Sequence, residues 1–285
     1  MIATPAIFTW PVLVAQLLIF GTAAFALMFA PVAFGESNGA SDRVVLWRVL
    51  AMLNLAMSPL LFMEIASRMA QTSWMRVLPF IPQIMRETLA GRFWVWRFGA
   101  VVMLAMVVWI PARARLVAFA ALTLSSLLSV LGSLTSHAID KGAPVVAIYS
   151  VHQATAGLWL GALASLLMAA RRGPEALAAL TPRVSTVCAW AVAIMVISGP
   201  LIALRWFGWN PRLLLDSSYG RTLIGKLVTA TPALLLGASN RYWQVPRVAQ
   251  RSVRAQLVRS VAAECVLLLA VLAWSALLAN TPPPH

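Results

Sequence analysis

Charge is what this sequence has least of. Of its 285 residues 11% are charged and only 8 are acidic, whereas a soluble domain carries roughly a quarter of its residues as charges to face water. That deficit excludes an ordinary soluble domain. Cysteine is almost as scarce. Cys188 and Cys265 both lie inside apolar stretches, so neither a disulfide framework nor a CxxC pair is available. There is no nucleophile elbow, P-loop, dinucleotide fingerprint, HExxH or paired-carboxylate arrangement. A catalytic site of the soluble type therefore has no sequence support, and the chain reads as a non-enzyme.

What is present is apolar: 61% of residues are hydrophobic and the mean hydropathy is +0.85. Apolar runs of about 20 residues, enough to cross a hydrocarbon core of roughly 30 Å, recur near 12–34, 44–66, 93–111, 115–136, 146–170, 184–208, 220–241 and 258–280. None alternates as a strand, and each exceeds the length of a barrel strand. In lipid the backbone must satisfy itself, so these runs are expected to be helices. The expected fold is all-α, a single polytopic membrane domain of about eight transmembrane helices over residues 1–285, with the lipid bilayer as its first partner.

A formal net charge of +14 raises nucleic acid as a partner, but the arginines sit at helix ends and in connectors, as membrane topology requires. Arg241, Arg247, Arg251, Arg254 and Arg259 crowd the last connector with no acid before Glu264. Positive-inside counting makes that loop cytoplasmic, puts Arg171, Arg172 and Arg183 on the same side and leaves both termini periplasmic. The first run has no preceding Lys or Arg and outlasts a signal-peptide core, which argues for a retained helix.

Two internal echoes suggest four-helix halves of parallel topology, 1–140 and 141–285. Glu87-Thr-Leu-Ala-Gly-Arg92 with Arg97 parallels Asp216-Ser-Ser-Tyr-Gly-Arg221 with Lys226. More weakly, Leu18-Ile-Phe-Gly21 through Met28 parallels Leu158-Trp-Leu-Gly161 through Met168. Arg92, Tyr219, Arg221 and Lys226 form either a binding rim on the outer face or a helix start whose arginine snorkels to headgroups. Residues 67–91, with Trp74, Pro79 and Pro82 among Met, Ile and Phe, are too interrupted to span and read as an interfacial segment.

The histidines are His137, His152 and His285. His137 follows Ser133-Leu-Thr-Ser at the outer end of the fourth run, and His152 lies in the first turns of the fifth. The connector, containing Gly142 and Pro144, lets the two helices run antiparallel, so the imidazoles are expected to come within metal-ligating distance. Imidazole suits copper, zinc, iron or nickel. Below His152, Gly157 and Gly161 form a GxxxG step that permits close helix packing. Trp159, seven residues from His152, shares its face, either lining a cavity or packing the bundle.

At these residues the chain resembles a known family. His152-Gln-Ala-Thr-Ala-Gly-Leu-Trp159-Leu-Gly161-Ala-Leu163 is similar to the His-…-Trp-x-Gly-Gly-Leu signature of the CopD/PcoD copper-resistance membrane proteins, with Ala162 replacing the second glycine. Ser136-His137-Ala138 resembles that family's Gly-His-Ala step. Tyr219-Gly-Arg-Thr-Leu-Ile-Gly-Lys226-Leu and Leu236-Gly-Ala-Ser-Asn240-Arg241 resemble its Tyr-Gly-Arg-x-Leu-x-x-Lys-Leu and Gly-Ala-x-Asn-Arg segments. Glu264 and the terminal Thr281-Pro-Pro-Pro also fit. The resemblance runs from about residue 86 onward and is weaker in the first two helices.

It implies a bacterial inner-membrane protein that handles the copper ion, passing it from periplasm towards cytoplasm, often with a soluble periplasmic copper carrier. His137 and His152 inherit the ligand role, with Met63 and Glu64 as further outer candidates. With no Met/His-rich extension in this sequence, capture is expected at the membrane surface. Because Cu(I) prefers sulfur, Met168, Cys188, Met195 and Cys265, with the intramembrane Glu264, outline an inner path. Two other functions stay open: a redox protein whose two histidines ligate a haem b, and a subunit or sensor that transports nothing.

Overall fold

The eight apolar runs fold as eight long helices: α1 (Thr4–Ala33), α2 (Gly39–Met69), α5 (Leu89–Val107), α6 (Ala114–Leu134), α7 (Ala143–Arg172), α8 (Pro174–Phe207), α10 (Ser218–Ser239) and α11 (Arg251–Ala279). Three short helices lie between them: α3 (Trp74–Val77), α4 (Ile81–Glu87) and α9 (Arg212–Asp216). The structure, a computed structural model, describes residues 4–33, 39–208 and 210–284. His285 and the end of the first apolar run at residue 34 fall outside these. Among the described residues eight helices are long and apolar enough to cross a membrane, and the chain is a multi-pass membrane protein.

Most helices outrun the apolar segments that announce them. The 30 residues of α7 reach about 45 Å, beyond the roughly 30 Å hydrocarbon layer, so their ends enter the headgroup region. The largest difference is at α8, which begins at Pro174 rather than near 184. Gly173, at φ 129°, ends α7 in a conformation that favours glycine, and Pro174 starts the next helix where a missing N–H costs nothing.

Helices α1 and α7 cross at the centre. A side chain on Gly21 would overlap the Gly157 carbonyl and the Gly161 Cα, and one on Gly161 would overlap the Gly21 backbone. The two backbones touch, as small residues allow in lipid. Around this axis α1, α2, α5 and α6 share one core that includes Ile19, Trp47, Leu104 and Leu128. α7, α8, α10 and α11 share a second with α1, including Leu17, Leu163, Leu180 and Leu257. Some buried polar side chains pair across the bundle: Gln16 Nε2 donates to Ser129 Oγ at 3.0 Å and Trp47 Nε1 to Thr22 Oγ1 at 2.8 Å.

The outermost helices are α8 and α10, which expose Trp190 (70%) and Val228 (66%), surfaces that lipid rather than water can cover. In the first half α2 packs on α5 through the Phe62, Trp94 and Phe98 rings. By contrast α8 and α10 pack together at one end, where Trp206 and Phe207 meet Tyr219, and a cleft lies between them further along.

Two turns at one end of the bundle share a design. Thr88 Oγ1 accepts from Gly91 N at 2.9 Å to cap α5, and Ser217 Oγ accepts from Gly220 N at 3.0 Å to cap α10. Each cap follows a short helix, and a side chain on Gly91 or Gly220 would strike the carbonyl of Ile84 or Leu214. The glycine of each Gly-Arg pair thus lets the short helix fold back against the first turn of the long one. Arg221 Nη1 then donates to the carbonyls of Leu215 and Asp216, closing α9.

Candidate functional site

Ser136 Oγ accepts from Ala138 N at 3.2 Å and starts a 3₁₀ turn, His137–Lys141, that Gly142 ends at φ 90°. This turn holds His137 out at the surface. Its Nδ1 is 4.0 Å from the Asp140 carboxylate, and its ring meets Trp206 of α8 edge-on at 6.4 Å. Lys141 Nζ lies 5.1 Å from the same Trp206 ring.

His152 sits deeper. It lies nine residues, about 14 Å, past the start of α7, and its Nδ1 is 2.9 Å from Ser198 Oγ of α8. The Ser198 hydroxyl also donates to the Met195 carbonyl at 3.3 Å. Both bonds are satisfied together only when Nδ1 carries the ring proton, which leaves the Nε2 lone pair available to a metal. Gly199 removes a side chain beside the imidazole Cε1, and the Lys226 ammonium is near enough to act on the ring electrostatically.

The two imidazoles touch different stretches of α8. They engage α8 at residues 206 and 198, about 12 Å apart along that helix, and no contact joins them. The connector expected to bring them together is short, because α7 starts at Ala143 and carries His152 down into the bundle. Among the described residues no three of His, Cys, Asp and Glu gather into a metal-holding group.

Nor do the other outer candidates join the histidines. Glu64 is buried on α2 and spends its carboxylate on Arg68 Nε at 3.1 Å and Trp74 Nε1 at 2.6 Å. It anchors residues 70–77 to the bundle. Met63 is half-buried beside it. Of the supposed rim, Arg92 and Arg221 are exposed and Lys226 is half-buried. Tyr219 is buried, against Trp206 at 6.1 Å and Phe207 at 5.8 Å, where α8 ends and α10 begins.

The inner candidates converge better. Glu264 of α11 is 2% exposed, and its carboxylate oxygens accept from Trp159 Nε1 at 2.6 Å and Asn240 Nδ2 at 2.8 Å. Trp159 therefore both packs and lines a cavity. That cavity, about 290 Å³, is the cleft between α8 and α10, floored by α7 and α11. Cys188, Ser185, Asn240, Arg241 and Tyr242 line it with Trp159 and Glu264. Arg241 Nη1 is held by the Ser185 carbonyl at 2.8 Å and Oγ at 3.1 Å. Cys265, beside Glu264, is close enough to act on Cys188 electrostatically but does not line the cavity. Met195 packs against the same core, and Met168 is half-buried near the end of α7.

Sequence reasoning missed three participants. Ser198 orients His152, and its only signal was the Ser-Gly-Pro break inside an apolar run. Asn240 appeared in a quoted segment without a role; it opens a π-helical turn, Asn240–Gln244, a distortion common at functional sites. Arg97 was noticed only as a helix-start base. It is buried over the Trp94 ring at 5.0 Å, with its Nε unpartnered.

The donors present suit copper in kind: an imidazole with a free Nε2, a thiol and a carboxylate. Comparison with known proteins agrees. Residues 6–145 match the family described as "Copper resistance protein D-like, N-terminal domain", and residues 178–278 match "Copper resistance protein D". A curated relative, "Copper resistance protein D" of Pseudomonas syringae pv. tomato, is 26% identical over 284 residues, covering 90% of this chain and 91% of its own length. No solved structure matches. Two family domains in order, a full-length relative and eight spans with these donors between them place the chain in the copper resistance protein D family.

Proposed function

We propose that this protein takes up copper at its histidine-bearing face and passes it through the bundle, as a transporter rather than an enzyme. The observation that carries the reading is His152: an imidazole inside a membrane bundle, oriented by Ser198 so that Nε2 is free. An ionisable group inside a membrane bundle is costly, which makes it a functional-site hypothesis by default. His137, exposed and touching α8 about two turns beyond Ser198, supplies capture. Met195, three residues from Ser198, and Cys188, ten residues from it, continue the same helix inward by up to about 15 Å.

The arginine-rich connector between α10 and α11 supports an inner-membrane orientation with the histidine face and both termini periplasmic. A soluble periplasmic copper carrier is then the natural donor to His137. The paired Thr88 and Ser217 turns support two four-helix halves, with the segment after α2 in the interface. A haem b has less support, since the two imidazoles it would need touch α8 at residues eight apart, Trp206 and Ser198, rather than facing one shared point.

Metal analysis of purified wild-type protein and the His137→Ala/His152→Ala variant after copper exposure tests the proposal, with an optical spectrum of each sample. The variant is expected to lose at least one copper equivalent. Unchanged copper content would sink the histidine site, and a Soret band would favour haem.

A further inference from the structure

The inner cavity holds acceptors that the protein itself does not satisfy. Glu264 receives one hydrogen bond on each oxygen, both from neutral donors, leaving about half of a carboxylate's lone-pair sites unused. Among the described residues no Lys, Arg or His forms an ion pair with it. Asn240, 6% exposed and lining the cavity, has its Oδ1 without a partner; the Gln244 Oε1 of the same π-helical turn is likewise orphaned. Buried acceptors left without a donor are costly, and each calls for a proton donor or a cation. The thiol of Cys188 lines the same space.

We propose that this cavity is a binding site for a univalent soft metal ion, Cu(I) or its redox-inert counterpart Ag(I), with Cys188 Sγ and the Glu264 carboxylate as ligands and Asn240 Oδ1 beside them. The identification of copper rests on the function proposed above; the cavity and its unmatched acceptors do not. A thiol lining the site selects a soft ion over Na⁺ or Mg²⁺. Charge selects a univalent one. Arg241 and Glu264 both line the cavity and act on Cys188 with opposite signs, and Cu(I) replaces the thiol proton one for one: the S–H bond breaks, an S–Cu bond forms and the proton leaves to water. The net charge of the cavity is unchanged. A divalent ion making the same exchange would add an uncompensated charge in a low-dielectric setting.

Access follows from the helix arrangement. Residues of α8 and α10 line opposite walls of the cavity, and Arg241, pinned to Ser185, stands at the arginine-rich end. Trp159 lies seven residues, about 10 Å, below His152 on the same face of α7. An ion leaving His152 would travel that distance along the α7/α8 seam to reach Cys188 and Glu264.

The test uses the full chain in lipid nanodiscs, in a His137→Ala/His152→Ala background that removes the outer donors. Incubated with Ag(I) and gel-filtered, this protein is expected to keep one silver per chain, with a sulfur neighbour in the silver X-ray absorption spectrum, and to keep no Zn(II). Adding Cys188→Ala should weaken Ag(I) binding at least tenfold and remove the sulfur signal; Glu264→Gln should weaken it without removing sulfur. Should the Glu264→Gln protein not fold, the Cys188→Ala comparison decides alone. Silver retained after Cys188→Ala, equal retention of Zn(II), or no silver in the background protein would each overturn the inner site. The outer histidine reading stands or falls separately, on copper lost between the wild type and the background.

Discussion

Replacing Glu264 by Gln changes one atom's chemistry in the most enclosed polar cluster of the bundle. The carboxylate now accepts from two donors, Trp159 Nε1 at 2.6 Å and Asn240 Nδ2 at 2.8 Å. A glutamine offers one acceptor and one NH₂, so one of the two donors must face another donor. An unsatisfied buried group of that kind costs about 1–3 kcal/mol. Removing a carboxylate from the bilayer interior recovers part of its desolvation, so the net loss is expected at the lower end, about 1–2 kcal/mol. Trp159→Phe keeps an aromatic ring but deletes the N–H and the rest of the indole, losing a charge-assisted bond of about 1.5–3 kcal/mol and some buried packing besides. If these atoms act as one network, the double variant loses less than the sum, with a coupling of about 0.5–3 kcal/mol. Reversible unfolding in mixed micelles, followed by helix circular dichroism for the four proteins of the cycle, measures this. Additivity within about 0.5 kcal/mol would refute the network.

Gly161→Leu forces α1 and α7 apart where their backbones touch, and even Gly161→Ala is overpacked; a loss of about 1–3 kcal/mol or more should appear in the same unfolding assay, whereas Gly99→Ala, with open space around it, should differ little. Thr88→Ala and Ser217→Ala each remove a helix cap worth about 1 kcal/mol, and faster hydrogen exchange at the starts of α5 and α10 would report it. His137→Ala, at an exposed turn, should leave the unfolding midpoint unchanged while weakening copper capture by the whole protein.

The fold was legible because a bilayer reduces the choices: eight apolar runs had to become eight helices. Their ends were less so, since helix continues through the headgroup layer where the apolar signal has stopped, as at Pro174. The GxxxG step announced close packing but not its partner, which proved to be Gly21. The Gly-Arg echo held a more specific meaning than charge alone, because it marks where a short helix folds back against a long one. At the site, residue types were readable and separations were not. His137 and His152 look adjacent across a short connector, yet the first residues of that connector wind into a 3₁₀ turn and the last into α7. Glu264 stood out as an acid in an apolar run, but its partners Trp159 and Asn240 lie 105 and 24 residues away, beyond any local pattern.

Copper flux into proteoliposomes loaded with a luminal copper indicator tests the central claim most directly, comparing wild-type protein, His152→Ala and protein-free vesicles. Wild-type vesicles are expected to fill faster than empty ones, and His152→Ala vesicles to fill no faster than empty ones. Wild-type flux equal to that of protein-free vesicles, or full flux through His152→Ala, would contradict a copper path through the α7/α8 seam.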